Sequence, residues 1–341
     1  MNWNREIVLA TPTFTRVFFV LAASAFVLGL GSCADRATGP RELTFGHVGE
    51  PGSLFALSAE EFARRANERL DGFEVVVYGS SQLGGDEFLL QKIKLGTVDF
   101  ALPSTVMSSQ IDEFGLFEMP YLVRDRAHMR AIEKEVVWPE LAPLAEQEGY
   151  RIIALWENGF RHVTNNTRPI ASPDDLSGIK LRTPRGIWRV KLFQTLGANP
   201  TPMALSEVFI GLQTGVIDGQ ENPLAQIWGS KLYEVQEHLS LTGHVYTPGY
   251  VVVSASHWTA LPPDVRRVLE EEARSVQTFV HDTAARLDQE LLAQVEAEGV
   301  KVTRPDRDAF LIASSDIYDE FDQAVEGGGL LVERAVAAGS N

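Results

Sequence analysis

Twice in this chain an amphipathic helical stretch ends in a glycine and passes to an apolar residue followed by an aspartate. The segments are LLQKIKLGTVDFA and FIGLQTGVIDGQE. Leu90, Ile93, Gly96, Val98 and Asp99 of the first correspond to Phe209, Leu212, Gly215, Ile217 and Asp218 of the second. A glycine in that position ends a helix in the left-handed conformation. Each segment therefore predicts a helix that feeds the strand or loop after it. Around the first copy the alternation is regular: a strand from Leu43, a helix over Leu57–Leu70 with Ser58 as N-cap, a strand over Phe73–Gly79, a helix from Gly85 to Leu95, and a strand over Val98–Ser104. That order predicts an open parallel sheet with helices on both faces.

The grammar recurs around the second copy. Ile152–Glu157 and Gly178–Arg182 read as strands, Pro184–Leu196 as a helix, and Ser206 as the cap of a helix reaching Gly215. Val216–Asn222 is the strand or loop that follows. Two regions of α/β pattern predict two lobes with a cleft between them, at the carboxyl ends of strands, where ligands bind in such folds. Leu261–Val300 carries apolar residues at helical spacing. It is long for one globular helix, so it predicts a long or kinked helix packed across both lobes. A short strand and turn, VKVTRPD, and a helical stretch over Asp308–Val325 close the pattern.

With 341 residues and 45% hydrophobic content the chain can bury two cores of ordinary size. Its net charge of -16 argues against nucleic acid or an anionic membrane surface as the main partner. A few arginines in a cleft can still favour a small anion. The amino terminus reads as a targeting segment: Arg5 and Arg16, then an apolar run from Val17 to Leu30 that is too short for a stable span. It ends in LGSC. Cys33, the only cysteine, is then either the lipidated first residue of a lipoprotein or an incidental neighbour of an ordinary secretory cleavage site. Residues 1–32 read as the signal peptide and 33–42 as a polar tether. Two arginines and one glutamate leave with the signal, so the mature chain carries -17. The chain is expected outside the cytoplasm, periplasmic, and either lipid-anchored or free.

Arg182 follows a strand and precedes a helix that Thr183 would cap and Pro184 would start. A guanidinium beside free helix N–H groups forms an anion site. The alternative is a surface arginine paired with Asp174 or Asp175. Arg161, in ENGFRHVTNN, stands where the chain is expected to cross between lobes, or in a solvated loop. Asn222, in DGQENP, both donates and accepts. Glu157, Asp218 and Glu221 are the carboxylates an enzyme acting on an organic acid would use, yet no second carboxylate stands at a catalytic spacing. The signatures GxxxxGK[ST], GxSxG and HExxH are absent. The seven histidines are scattered, with His238 and His244 nearest each other and no cysteine beside them, so neither a metal nor a cofactor is expected. Trp156 and Trp188 lie nearest the two arginines, as pocket walls or as core.

Three segments, SSQLGGDEFLLQKIKLGTVDFAL, DLSGIKLRTP and LGANPTPMALSEVFIGLQTGVIDGQENP, closely resemble the DctP family, the periplasmic solute-binding proteins of tripartite ATP-independent periplasmic (TRAP) transporters. The resemblance runs from Leu43 to about Tyr318. It implies a two-lobed periplasmic binding protein fold of α/β class, with a ligand cleft between lobes and a long helix crossing both. On this pattern residues 43–158 with about 248–287 form one lobe, and 159–247 with about 288–341 the other. It implies a monomeric binding protein, not an enzyme, that passes an organic acid to a permease driven by an ion gradient. A sensor that reports ligand to a membrane receptor shares the same sequence features. The family's carboxylate-gripping arginine falls on Arg182, a second arginine on Arg161, and its asparagine on Asn222. Asp86 falls in a loop that often lines the cleft. Arg185 and Leu205 occupy positions that vary with ligand choice, and an aromatic residue is frequent at the latter. A sugar acid, a C4-dicarboxylate and a keto acid all suit this set.

Overall fold

The computed structural model describes residues 39–340. Cys33 and the targeting segment lie outside the described residues. Among the described residues no helix is long and apolar enough to cross a membrane.

Eleven strands form two sheets among the described residues: β1 Arg41–Gly46, β2 Phe73–Tyr78, β3 Phe100–Ala101, β4 Tyr150–Phe160, β5 His162–Asn165, β6 Lys180–Thr183, β7 Asn199–Pro202, β8 Gly219–Asn222, β9 His238–Ser240, β10 Tyr246–Ser254 and β11 Lys301–Thr303. The first sheet has the order β2-β1-β3-β10-β4 and the second β11-β9-β5-β8-β6-β7. The parallel arrangement expected for the first lobe holds for β2, β1 and β3. Of the other two strands, β4 runs in the same direction and β10 is reversed. β10 runs antiparallel to both β3 and β4. The reason is connectivity: β4 and β10 are the strands by which the chain leaves the first sheet and returns to it, so they run in opposite directions. β1 also starts at Arg41, within the predicted tether, because Arg41 pairs with Phe73 of β2.

The helices are α1 Leu54–Asn67, α2 Asp86–Leu95, α3 Arg126–Ile132, α4 Ala142–Gln147, α5 Ile187–Thr195 and α6 Leu205–Gln213. They continue with α7 Leu224–Gly229, α8 Ala255–Trp258, α9 Pro263–Ala297, α10 Arg307–Ala313, α11 Asp316–Ala324 and α12 Gly328–Ala337. Helix α2 keeps its expected limits, and Gly96 closes it at φ 68°. Three expected caps move. Ser53, not Ser58, caps α1 by accepting from the Ala56 N–H, while the Ser58 hydroxyl donates to the Leu54 carbonyl one turn back. Gly186, not Thr183, caps α5, because β6 extends through Thr183 to pair with Pro202. Ala204, not Ser206, precedes α6, and its N–H is held by the Glu207 carboxylate.

Helix α9 is one continuous helix of 35 residues, about 50 Å at the usual rise. It packs on α1 and β4 of the first sheet and on α7, which follows β8 of the second. The first sheet's core centres on Phe45, whose ring lies 5.7 Å from those of Phe62 and Phe100 and 6.1 Å from Trp156. The Trp156 indole N–H donates to the Ala273 carbonyl of α9 at 2.8 Å. Trp188 is buried against Phe321. Both tryptophans are therefore core residues rather than pocket walls.

Candidate functional site

A cleft of about 540 Å³ opens between the two sheets. From the first sheet's side it is lined by Val48, Ser81, the start of α2 at Asp86, Glu87 and Phe88, and Val106. From the second it is lined by Arg182, Pro184, Arg185 and the start of α6 from Met203 to Glu207. Of the residues expected from sequence, Asp86, Arg182, Arg185 and Leu205 meet here. Arg161 and Asn222 are not among the lining residues.

Arg182 is 3% exposed. Its Nε and Nη2 donate to the Met203 carbonyl at 2.9 and 2.5 Å. Its Nη1 has no acceptor among the described residues. Neither Asp174 nor Asp175 pairs with it: Asp175 instead accepts from the N–H groups of Ala171 and Ser172. Burial lowers the Arg182 guanidinium to about 9, against the opposing pull of Glu221 and Asp86. It remains cationic at neutral pH.

The helix end beside this arginine is not the one the sequence suggests. α5 begins at Ile187, three residues beyond Pro184, and Arg182, Pro184 and Arg185 are the lining residues of that segment. The helices whose first turns line the cleft are α2 and α6, one from each side. Their positive ends favour an anion between them.

Asp86 opens α2, and its Oδ1 is buried with no hydrogen-bond partner among the described residues. Burial raises its carboxyl to about 7, with Arg182 pulling the other way. Arg185 is exposed and reaches across the cleft, its Nη1 3.6 Å from Glu87 Oε2. Leu205 is the first residue of α6 and gives the cleft an apolar wall where an aromatic ring was the alternative.

Beneath the cleft lies a charged cluster. Arg161, 2% exposed, sits in the one-residue gap between β4 and β5. Its Nε and Nη2 meet Glu221 Oε2 and Oε1 at 2.5 and 2.9 Å, and Nη2 also donates to Asn222 Oδ1 at 2.9 Å. Asn222 Nδ2 donates to Gln220 Oε1. Arg189 Nη1 reaches Glu221 at 2.6 Å and its Nη2 reaches Glu118 at 2.8 Å. Burial disfavours the charge on Glu221, but Arg161 and Arg189 outweigh it and hold the carboxylate ionised well below the usual range. Burial lowers His244 to about 4. The ring is thus neutral, and the ionised Glu221 fixes its Nε2 as donor, at 3.0 Å, and its Nδ1 as acceptor from Thr242. Burial raises Glu118 to about 7, so the two guanidinium charges are compensated by a fully ionised Glu221 and a partly protonated Glu118.

The carboxylates that an enzyme would have used are committed elsewhere. Glu157 receives Arg126 in a forked pair. Asp218 accepts the Lys180 N–H. Arg189, Glu118, Glu87 and Glu207 had no distinctive sequence signal. A helix arginine at Arg189 reads as a solvated residue until Glu221 is known to lie beside it. Among the described residues no group of histidine, cysteine, aspartate and glutamate has the geometry of a metal site.

Residues 45–324 match the family described as bacterial extracellular solute-binding protein, family 7 (DctP). The 2,3-diketo-L-gulonate-binding periplasmic protein YiaO of Escherichia coli K12 is 31% identical over 312 residues, 90% of this chain and 95% of that protein. The sugar acid binding protein DctPAm of Advenella mimigardefordensis, solved with galactonate, is 31% identical with a TM-score of 0.82, over 87% of this chain and 99% of that one. A TRAP periplasmic solute binding protein of Sulfurospirillum deleyianum, solved with succinate, is 30% identical with a TM-score of 0.84, over 88% and 99%.

Proposed function

Because the chain belongs to the DctP family of bacterial extracellular solute-binding proteins, we propose that its cleft captures an organic acid through Arg182 and delivers it to a TRAP membrane permease. The family and its solved relatives are ligand-binding transport proteins, not enzymes. The observation that carries the reading is a buried, cationic guanidinium on the cleft wall with one nitrogen, Nη1, still without an acceptor. The Met203 carbonyl fixes the other two nitrogens, so the fork is oriented before ligand arrives. A carboxylate is the planar acceptor that matches it. Asn222 at the end of β8 and Arg161 in the gap between β4 and β5 lie behind that wall, and the Arg161 Nη1 also lacks an acceptor among the described residues.

Binding brings the two sides together. Arg182 and α6 belong to one side and Asp86 and α2 to the other, so a ligand touching both favours the closed arrangement by its differential affinity. Cys33 is the point of lipid attachment in this reading, and the protein works in the periplasm with or without that anchor. Calorimetric titration of the purified protein with sugar acids, C4-dicarboxylates and keto acids tests the core claim. Arg182→Ala is expected to fold and to lose at least about 100-fold in affinity, as removal of a charge-assisted fork would cause. Unchanged affinity in that variant would refute the assignment.

A further inference from the structure

We propose that the cleft selects a polyhydroxy monocarboxylate, a sugar acid, over a dicarboxylate, and that Asp86 is the residue that imposes the choice. This inference rests on the organic-acid reading above and narrows it. Five charged side chains line the cleft: Asp86, Glu87, Arg182, Arg185 and Glu207. Glu87 and Arg185 face each other at 3.6 Å and offset one another. Glu207 Oε2 accepts the Ala204 N–H at 3.0 Å. Of the rest, Arg182 bonds only through Nε and Nη2, leaving Nη1 without an acceptor among the described residues, and Asp86 Oδ1 is buried without a donor.

One unmatched cation nitrogen and one unmatched carboxylate oxygen ask for a ligand with one carboxylate and a nearby hydroxyl. The carboxylate takes Arg182, and the hydroxyl donates to Asp86. Among the lining residues the only other cation the second carboxylate of a diacid could meet is Arg185, whose charge Glu87 already offsets at the solvent-exposed edge. That carboxylate faces Asp86 instead, and like charges at that range repel strongly away from water. Leaving a buried acceptor without its donor also penalises any ligand lacking the hydroxyl. Around this pair the wall offers further hydroxyls at Ser81 and Ser206, which suits a chain of several oxygens. Asp86 takes up a proton near pH 7, and a protonated carboxyl would donate to a second carboxylate. The selection is therefore sharpest above that range.

The test is calorimetric titration at pH 8 with galactonate and succinate as probes, on wild type, Asp86→Asn and Arg182→Ala. Wild type is expected to bind galactonate more tightly than succinate by on the order of 100-fold. Asp86→Asn keeps the shape and can donate to a carboxylate, so it should bring the two affinities to within about tenfold, mainly by improving succinate. Equal or tighter binding of succinate by wild type, lost in Arg182→Ala, overturns the selection and leaves the organic-acid reading standing. Binding of either acid that survives Arg182→Ala, or none with either acid in wild type, overturns both. Because the wild-type comparison needs no variant, a misfolded Asp86→Asn would still leave the selection decided.

Discussion

Asp86 and Arg182 approach the same cleft from opposite sides, and each is held in an environment that opposes its charge. For Asp86 the folded carboxyl titrates near 7 against 3.8 for the free group. The folded state thus retains a proton that the unfolded chain has lost. The stability this contributes is full below about pH 4 and is lost as pH rises through 7. Asp86→Asn removes that dependence. Thermal melts of the unliganded protein should show the variant gaining on wild type between pH 5 and pH 8, by on the order of 1–2 kcal/mol after solvent screening. A difference between the two that stays flat with pH would contradict it. The place of Arg182 on the cleft wall was suggested by its position at a strand–helix junction, although β6 runs one residue beyond it, to Thr183. The bond of Arg182 to the Met203 carbonyl was not legible, since that partner lies 21 residues away. Nor was the Arg161–Glu221–Arg189 cluster, which needs three elements brought together before any member gains a meaning.

At the scale of elements, order was readable and edges were not. The glycine-terminated helix α2 matched its prediction because a left-handed closing residue has a distinct chemical signature. The starts of α5 and α6 did not, since Thr183 and Ser206 are good caps in isolation. Sheet pairing of Thr183 with Pro202 and the reach of Glu207 back to Ala204 override them. That second shift matters to function, because it puts the first turn of α6 on the cleft wall. α12 has no helix signal at its start, which falls within three consecutive glycines, Gly327 to Gly329. The left-handed closure of α2 is itself testable. An added Cβ at Gly96 would sit at 2.3 Å from the His257 ring, on a backbone at φ +68°. Gly96→Ala should therefore lower stability by about 1–2 kcal/mol from the backbone alone, with displacement of His257 adding to it. Denaturant midpoints at unchanged slope would measure this. A midpoint equal to wild type would show that the turn carries no strain.

Across the whole molecule, two mixed sheets are joined by strands that cross between them, with α9 packed against elements of both sides. The two-lobed plan was legible because the α/β pattern appears twice. The antiparallel crossing strands were not, because direction within a sheet leaves no local mark in sequence. The charged pair across the cleft mouth is Arg185 with Glu87, the arginine exposed and the glutamate partly so. Such a pair is worth at most about 1 kcal/mol. Arg185→Ala should then weaken organic-acid binding less than tenfold, with the loss shrinking further at high salt as screening removes the attraction. A loss as large as that of Arg182→Ala, insensitive to salt, would mean that Arg185 holds the ligand itself.

The central claim is that Arg182 holds the ligand carboxylate, and a crystal structure of the protein with galactonate tests it most directly. The expected complex has a carboxylate oxygen at about 2.7–2.9 Å from the Arg182 guanidinium, a ligand hydroxyl on Asp86, and the Met203 carbonyl still bound to Arg182. A carboxylate seated on Arg185, with Arg182 bonded to Met203 alone, would contradict it.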